Sequence, residues 1–224
     1  MAEGSPIIIV NLKTYSEGYG WDGFKLCKVI EEVAKETNSN LAVAVSAIDL
    51  VDYSDNLDIP VFAQHVDGIN FGSHTGSILP EAVKYSGAVG TLVNHAECQM
   101  TWAEIEKAIN RCKELELLTV LCTADLESTK KGAHLNPNMI AVEPPELIGG
   151  EVSVSSGRPE IISDSVKIVE KINPQISVIC GAGVKNQKDI SKAISLGSEG
   201  ILLASGVVKS QKPRKVLLDL VQGL

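Results

Sequence analysis

Eight short apolar runs, separated by stretches of helical pattern, recur along the sequence and limit the folds that this chain can adopt. The runs cover residues 6–11, 41–46, 60–64, 90–94, 118–122, 138–143, 175–180 and 199–204. Most of them are continuously apolar and rich in Val and Ile, which is typical of parallel strands covered on both faces. We therefore predict an α/β protein with eight parallel strands.

The stretches between these runs carry the spacing of amphipathic helices. Residues 101–104 match a capping box, and apolar side chains follow at helical spacing through residues 105–115. Gly197 suits the end of a later helix. Residues 47–58 and 124–135 give weaker patterns, so we expect the helices there to be short.

This alternation, without a linker or a low-complexity tract, favours an eight-stranded β/α barrel, (β/α)8, as one compact domain over residues 1–224. An open, doubly wound sheet is the alternative fold. No Gly-x-Gly-x-x-Gly follows the first run, which disfavours the dinucleotide-binding form of that sheet.

Composition limits the partners and the compartment. A formal net charge of −8 argues against nucleic acid as the main partner, because binding to phosphate backbones needs a basic face. No apolar run approaches membrane-spanning length, and the first residues lack the pattern of a secretory signal. We therefore expect a cytoplasmic protein without a membrane partner.

The cysteines predict neither disulfides nor a metal site. They are odd in number, form no Cys-x-x-Cys motif, and are interpreted as reduced core residues: Cys27, Cys98, Cys112, Cys122 and Cys180. The spacing of His95 and Cys98 has no second ligand pair to accompany it, so we expect no zinc.

Polar residues follow three of the predicted strands. Asn11 and Lys13 follow the first strand, His95 and Glu97 follow the fourth, and Glu143 ends the sixth. Each alone has an ordinary explanation as a turn residue, a surface charge or a salt-bridge partner. In a β/α barrel, however, active-site groups gather at the carboxyl ends of the strands. Their coincidence there therefore favours an active site.

The loops after the seventh and eighth runs suggest an anion site. Gly183 follows the seventh run, and Ala204 and Ser205 follow the eighth. Small residues there let backbone N–H groups converge on a phosphate, and Gly149 could add another. A carboxylate, a neutral imidazole and an ammonium group beside such a site fit proton transfer next to a carbonyl, with no cofactor.

Seven motifs occur in a specific order and spacing. They are Asn11-Leu12-Lys13, residues 63–66, His74-Thr75-Gly76, residues 94–97, residues 141–144 with Ile148-Gly149, residues 180–183, and residues 203–206. With these motifs the sequence resembles the triosephosphate isomerase family of TIM barrels, especially its short archaeal-type branch, over essentially the whole chain.

The resemblance implies a cofactor-independent isomerase that interconverts dihydroxyacetone phosphate and D-glyceraldehyde 3-phosphate through an enediol(ate), in glycolysis and gluconeogenesis. It implies that Glu143 is the base, that His95 is the electrophile, and that Lys13 stabilises the anionic intermediate. It further implies that Asn11 binds substrate and that Glu97 supports the site.

The resemblance also implies how phosphate is held and how the site closes. The phosphate-binding residues would be Ile148, Gly149, Gly183, Ala204 and Ser205. The segment that begins with two prolines, residues 144–149, would close over the substrate and exclude water.

Self-association is a further implication. Thr75 lies in a loop that docks into a neighbouring subunit in this family, with the matching residue reaching toward the other active site. We therefore expect a dimer at least, and a tetramer as in short archaeal-type members. Ala96, Cys98, Gln99 and the tip at 145–147 depart from the family pattern, which leaves the contacts of loop closure open.

Two alternatives remain at this point. One is another phosphate-handling barrel, such as a pentose-phosphate epimerase or an indole-glycerol-phosphate enzyme, which would use metal ligands or a different charged set. The other is a sugar-phosphate binder without catalysis, for which the set of Lys13, His95 and Glu143 would be superfluous.

Overall fold

A computed structural model describes residues 5–144 and 157–224 and shows a closed barrel of parallel strands surrounded by helices. The strands are β1 (Ile7–Asn11), β2 (Asn40–Val45), β3 (Val61–Ala63), β4 (Gly90–Val93), β5 (Leu118–Thr123), β6 (Met139–Val142), β7 (Ser177–Cys180) and β8 (Gly200–Leu203). The helices of the described ranges are α1 (Gly20–Thr37), α2 (Leu50–Asn56), α3 (Pro80–Tyr85), α4 (Trp102–Glu114), α5 (Leu126–Ala133), α6 (Pro159–Ile172), α7 (Gln187–Ser195), α8 (Ser205–Val208) and α9 (Pro213–Val221).

Each strand pairs with the next along the chain, and the first pairs with the last. Ile7 lies opposite Asn40 of β2 on one side and opposite Gly200 of β8 on the other, so no edge strand remains. The predicted (β/α)8 barrel is confirmed, and the open sheet is wrong. Residues 1–4 and 145–156 lie outside the described ranges, so one domain over 1–224 stays a prediction.

The strand residues form two apolar layers because side chains alternate across a strand. Ile8 and Val10 of β1 pack outward against the helices, in the larger core. Ile7 and Ile9 belong to a separate cluster with Phe62, which fills the barrel interior. This explains why the runs are continuously apolar: both faces of each strand are buried.

Local signals in the sequence agree with the observed helices. Thr101 and Glu104 form the predicted capping box at the start of α4. Gly197, just after α7, has a φ of +94°, which a residue without a Cβ adopts readily. The two weak patterns correspond to short helices, α2 with 7 residues and α5 with 8.

Within residues 5–144 and 157–224, none of the helices combines the length and the apolar character needed to cross a bilayer.

Candidate active site

The register of β6 determines where Glu143 points. Met139 and Ala141 face the barrel interior, and the alternation carries the next side chain of that face, Glu143, inward at the carboxyl end. The Glu143 amide donates to the carbonyl of Thr123 at 2.7 Å, which ties this residue to β5 just past the strand end. A backbone position fixed in this way holds the carboxylate more precisely than a free loop would.

The Glu143 carboxylate is buried and incompletely paired. The residue is 4% exposed, and its Oε2 has no hydrogen-bond partner among the described residues. Burial raises the pKa of Glu143 to about 8, against the opposing effects of a hydrogen bond with the Cys122 thiol and the Lys13 charge. This carboxyl group can therefore exchange a proton near neutral pH.

His95 faces the carboxylate through its Nε2 atom. Its Nδ1 accepts a hydrogen bond from the Glu97 amide at 3.1 Å, so the ring proton of the neutral form resides on Nε2. That Nε2 lies 3.8 Å from Oε2 of Glu143. Burial and the nearby Lys13 charge lower the pKa of His95, which favours the neutral imidazole.

Lys13 reaches the same place from β1 through a strained turn. Its φ is +50°, an uncommon value for a residue with a side chain, and its amide donates to Oδ1 of Asn11 at 3.0 Å. Gln64 donates to the Lys13 carbonyl at 3.0 Å, which secures the turn from β3. The Lys13 ammonium group is 2.6 Å from Oε1 of Glu97.

These groups border one cavity of about 290 Å³. The cavity is also lined by Gly183, Ala204 and Ser205, which come from the loops after β7 and β8. Gly183 has a φ of +72°, and Ser205 begins the short helix α8. Backbone N–H groups in such loops suit an anion, and the volume suits a small phosphorylated molecule.

The absence of a side chain at Gly181 leaves room for the side chain of Glu143. Gly181 continues the inward face of β7, and a Cβ built there would lie 2.3 Å from Cγ of Glu143. No real Cβ tolerates that distance, so a side chain at position 181 must displace the carboxylate. Only glycine fits beside Glu143 in this arrangement.

The variant Gly181→Ala should therefore lower kcat on the order of 10²-fold, because a displacement of about 1 Å is enough for such a loss. Substrate-analogue binding should change much less, since Gly183, Ala204 and Ser205 themselves are not substituted. Gly206→Ala is the matched control, because a Cβ there would approach only Val184, at 3.8 Å. Steady-state kinetics and calorimetric binding measure both quantities; equal kinetics of the two variants would contradict this steric argument.

Most of the predicted site residues meet at this cavity. It is bordered by Asn11, Lys13, His95, Glu143, Gly183, Ala204 and Ser205. Glu97 lies beside it, bonded to Lys13 and His95. Thr75 is exposed in the loop before α3 and does not line this cavity. Ile148 and Gly149 lie outside the described residues.

The sequence analysis assigned no role in this site to several residues that border it or contact Glu143, among them Tyr15, Cys122, Gly181 and Lys185. Cys122 was interpreted only as a core residue, although it ends a predicted strand and so belongs among the strand-end groups. Its thiol contacts Glu143, and burial raises the pKa of that thiol well above its usual range. Gly181 appeared only within the motif at residues 180–183.

The described ranges contain no group of three or more His, Cys, Asp or Glu side chains arranged to hold a metal ion. The described part of the chain also contains no disulfide at its five cysteines, four of which are buried. Cys98 is exposed, so its assignment to the core is wrong; it lies in the loop after β4, where the chain leaves the barrel.

Comparison with known proteins gives a consistent result. The family model described as triosephosphate isomerase matches residues 6–223. The triosephosphate isomerase of Methanothermobacter thermautotrophicus is 49% identical over 217 residues, which cover 97% of this chain and 95% of the relative. That of Methanocaldococcus jannaschii is 45% identical over 216 residues, covering 96% and 99% respectively.

A solved structure, the triosephosphate isomerase of Bartonella henselae, has a similar fold with a TM-score of 0.75. The two chains are 16% identical, and the match covers 97% of this chain and 96% of the other. At that identity, the likeness concerns the fold.

Proposed function

Because this chain belongs to the triosephosphate isomerase family and interconverts dihydroxyacetone phosphate and D-glyceraldehyde 3-phosphate, we propose that Glu143, His95 and Lys13 carry out its chemistry. Glu143 removes a proton from the carbon next to the carbonyl and returns it to the neighbouring carbon. His95 moves a proton between the two substrate oxygens, and Lys13 offsets the charge of the enediolate.

The main observation behind this proposal is that the Glu143 carboxylate lies close to Nε2 of His95. The two are 3.8 Å apart, both residues are buried, and one carboxylate oxygen is unpaired. A base and an electrophile that act on adjacent carbon and oxygen atoms need this proximity. Their pKa shifts support this division of roles, since the pKa of Glu143 is raised toward neutral pH while the pKa of His95 is lowered.

We propose that Asn11 binds substrate and that Gly183, Ala204 and Ser205 bind its phosphate, with Ile148 and Gly149 adding contacts from the segment that follows β6. The first four residues border the same cavity as Glu143, which supports this assignment. Glu97 supports the site through its ion pair with Lys13.

We also propose that the chain forms a dimer at least, with Thr75 reaching the neighbouring subunit. Large apolar side chains are exposed on three segments. Phe71, in the loop between β3 and α3, is 76% exposed; Tyr85, which ends α3, is 92% exposed; and Ile48, in the loop between β2 and α2, is 91% exposed. Such side chains favour burial against a partner. Light scattering of the purified protein measures its oligomeric state. A dimer is the first expected outcome and a tetramer the second.

We propose the cytoplasm as the location. No disulfide joins cysteines in the described part of the chain, and the Cys98 thiol is exposed, which suits a reducing compartment where disulfides do not persist.

The direct test couples turnover of glyceraldehyde 3-phosphate to a glycerol-phosphate dehydrogenase in the presence of EDTA. We expect turnover that does not require added metal. Binding without turnover would instead indicate a sugar-phosphate binder, and activity restored only by metal would indicate an epimerase-type enzyme.

The pH dependence follows from the raised pKa of Glu143. The base acts when ionised, and its pKa in the free enzyme is about 8, so kcat/KM should rise with pH and level off above about 8. His95 should not limit activity on the alkaline side, because its lowered pKa leaves it neutral there. A profile that is flat between pH 6 and 9 would argue against Glu143 as the ionising base.

A further inference from the structure

The cavity of the active site has a lysine at its border that the proposed chemistry does not use. Lys185 lies two positions after Gly183, in the loop between β7 and α7, and borders the same cavity as Gly183, Ala204 and Ser205. The motif at residues 180–183 ends before this lysine. A positive charge next to the proposed phosphate site therefore needs an explanation.

The charges around the cavity are unevenly distributed. Of the described residues that border it, Lys13 and Lys185 are the two that carry an ammonium group. The ammonium group of Lys13 is 2.6 Å from Oε1 of Glu97, so part of its charge is compensated. The loops proposed to bind phosphate otherwise offer backbone N–H groups and small side chains, so Lys185 is the source of positive charge on their side of the cavity.

The backbone at Lys185 is fixed, and its N–H group is already used. That N–H donates to Oδ2 of Asp189 at 3.0 Å, and the preceding residue, Val184, is buried. The amide of Asp189 in turn donates to Oδ1 of Asn186, the N-cap of α7, at 3.1 Å. Position 185 can therefore contribute to anion binding only through its side chain.

The Lys185 side chain is available for such a contact. The residue is exposed, and within residues 5–144 and 157–224 its ammonium group takes part in no salt bridge or hydrogen bond. A lysine carries its charge on a flexible four-carbon stem, which lets the ammonium group adjust to a phosphate that enters the cavity.

The net charge of the chain gives this local cation a purpose. The formal net charge is −8, and a phosphate monoester carries a charge of about −1.5 to −2 at neutral pH, so the molecule as a whole repels the substrate. A positive side chain at the border of the cavity opposes that repulsion at the place where the anion must bind.

We propose that Lys185 is a substrate-binding residue whose ammonium group pairs with the phosphate of the triose phosphate, in addition to the N–H groups of the loops after β7 and β8. This inference rests on the proposed phosphate site and adds a charged side chain to it. The phosphate does not change during the reaction, so the contact stabilises the bound substrate and the transition state alike. Lys185 should therefore affect KM far more than kcat.

The experiment compares the wild type with Lys185→Ala, Lys185→Arg and Lys188→Ala, by steady-state kinetics and by calorimetric titration of inorganic phosphate. Lys188 is the matched control, because it is exposed in α7, three positions later, and does not border the cavity.

At low ionic strength, Lys185→Ala should raise both KM and the Kd of inorganic phosphate by about fivefold, the upper range for an exposed ion pair, while kcat stays within about twofold. Lys185→Arg should recover most of the affinity, and Lys188→Ala should match the wild type. Added salt should reduce the difference between the wild type and Lys185→Ala, because it screens an exposed charge.

Equal KM and equal phosphate affinity in the wild type and Lys185→Ala would overturn the proposal. Equal losses in Lys185→Ala and Lys188→Ala would also overturn it, because they would indicate general attraction without a contact. A fall in kcat larger than the rise in KM, or a loss that Lys185→Arg does not recover, would indicate a structural role instead.

The two binding measurements separate this proposal from the proposed function. Titration of inorganic phosphate needs no turnover, so it tests Lys185 even if the roles proposed for Glu143 and His95 fail. If inorganic phosphate did not compete with the substrate in the wild type, the phosphate site itself would be wrong, and the role of Lys185 would fail with it.

Discussion

Glu143→Gln is expected to lower kcat by about 10²–10⁴-fold, the range that a positioned general base contributes. The glutamine amide has nearly the shape of the carboxylate and fits beside Gly181, but it cannot accept the substrate proton. Phosphate binding should persist, because Gly183, Ala204 and Ser205 are unchanged. Steady-state kinetics, with calorimetric titration of a phosphoglycolate-type inhibitor, separates the loss of chemistry from the loss of binding.

Glu143→Asp provides the graded comparison. Aspartate keeps the charge and withdraws it by roughly 1 Å from the substrate carbon, so turnover should fall on the order of 10²-fold while inhibitor binding stays nearly intact. Unchanged turnover in either variant would remove Glu143 from the role of base.

Glu143→Gln should also give a protein that is more stable than the wild type at alkaline pH. The folded-state pKa of Glu143 is about 8, above its ordinary value of 4.5, so between these values the folded protein holds a proton that the unfolded chain has released. Stability conferred through this group is therefore lost as pH rises through that window. Glu143→Gln removes this dependence, and urea melts at pH 5 and pH 9 should show a smaller difference than the wild type shows.

The barrel could be predicted from the sequence because its physical cause is visible there. Both faces of every strand are buried, so each strand appears as an unbroken apolar run, and the helices between them carry their own caps and periodicity. Closure of the sheet was inferred only from the count of eight runs. The pairing of Ile7 with Gly200, nearly two hundred positions away, leaves no local signal.

The site was predictable to the extent that strand ends determine it. Asn11, Lys13, His95 and Glu143 lie at or just after the carboxyl ends of strands, so their proximity follows from parallel topology. The contacts behind them were not predictable, since Cys122 looks like any core thiol until the register turns it toward Glu143. The exposure of Cys98 likewise depends on the path of a loop after β4, which apolar periodicity does not encode.

Stability and activity oppose each other in this site. A buried carboxylate with an unpaired oxygen and a lysine with φ of +50° are both unfavourable for folding. Their presence in the part of the barrel that also holds His95 is understandable if they serve the reaction. Deeper in the barrel interior lies an apolar cluster around Phe62.

Lys13→Ala is expected to damage both binding and rate, by about 10²–10³-fold in kcat with an additional rise in KM, because an ammonium group beside the reacting oxygens stabilises the bound anion and the enediolate. Its side chain is 12% exposed, so water cannot replace the lost charge effectively. The loss of Lys13 also removes the partner of Glu97. The negative charge of Glu97 is then uncompensated close to the place where an anion must bind. Normal inhibitor affinity in Lys13→Ala would remove this residue from the site.

Lys209→Ala is the matched control for the effect of charge alone. The Lys209 ammonium group lies 5.4 Å from the ring centre of Tyr15, which borders the same cavity, so this variant also removes one positive charge near the site. It lacks the ion pair with Glu97 that holds Lys13 in place. If general attraction of the phosphorylated substrate were the main role of Lys13, the two variants would show similar losses of kcat/KM, sensitive to salt. We expect instead a loss in kcat that salt does not reproduce and that occurs only in Lys13→Ala, because stabilisation of the intermediate requires contact at a fixed position.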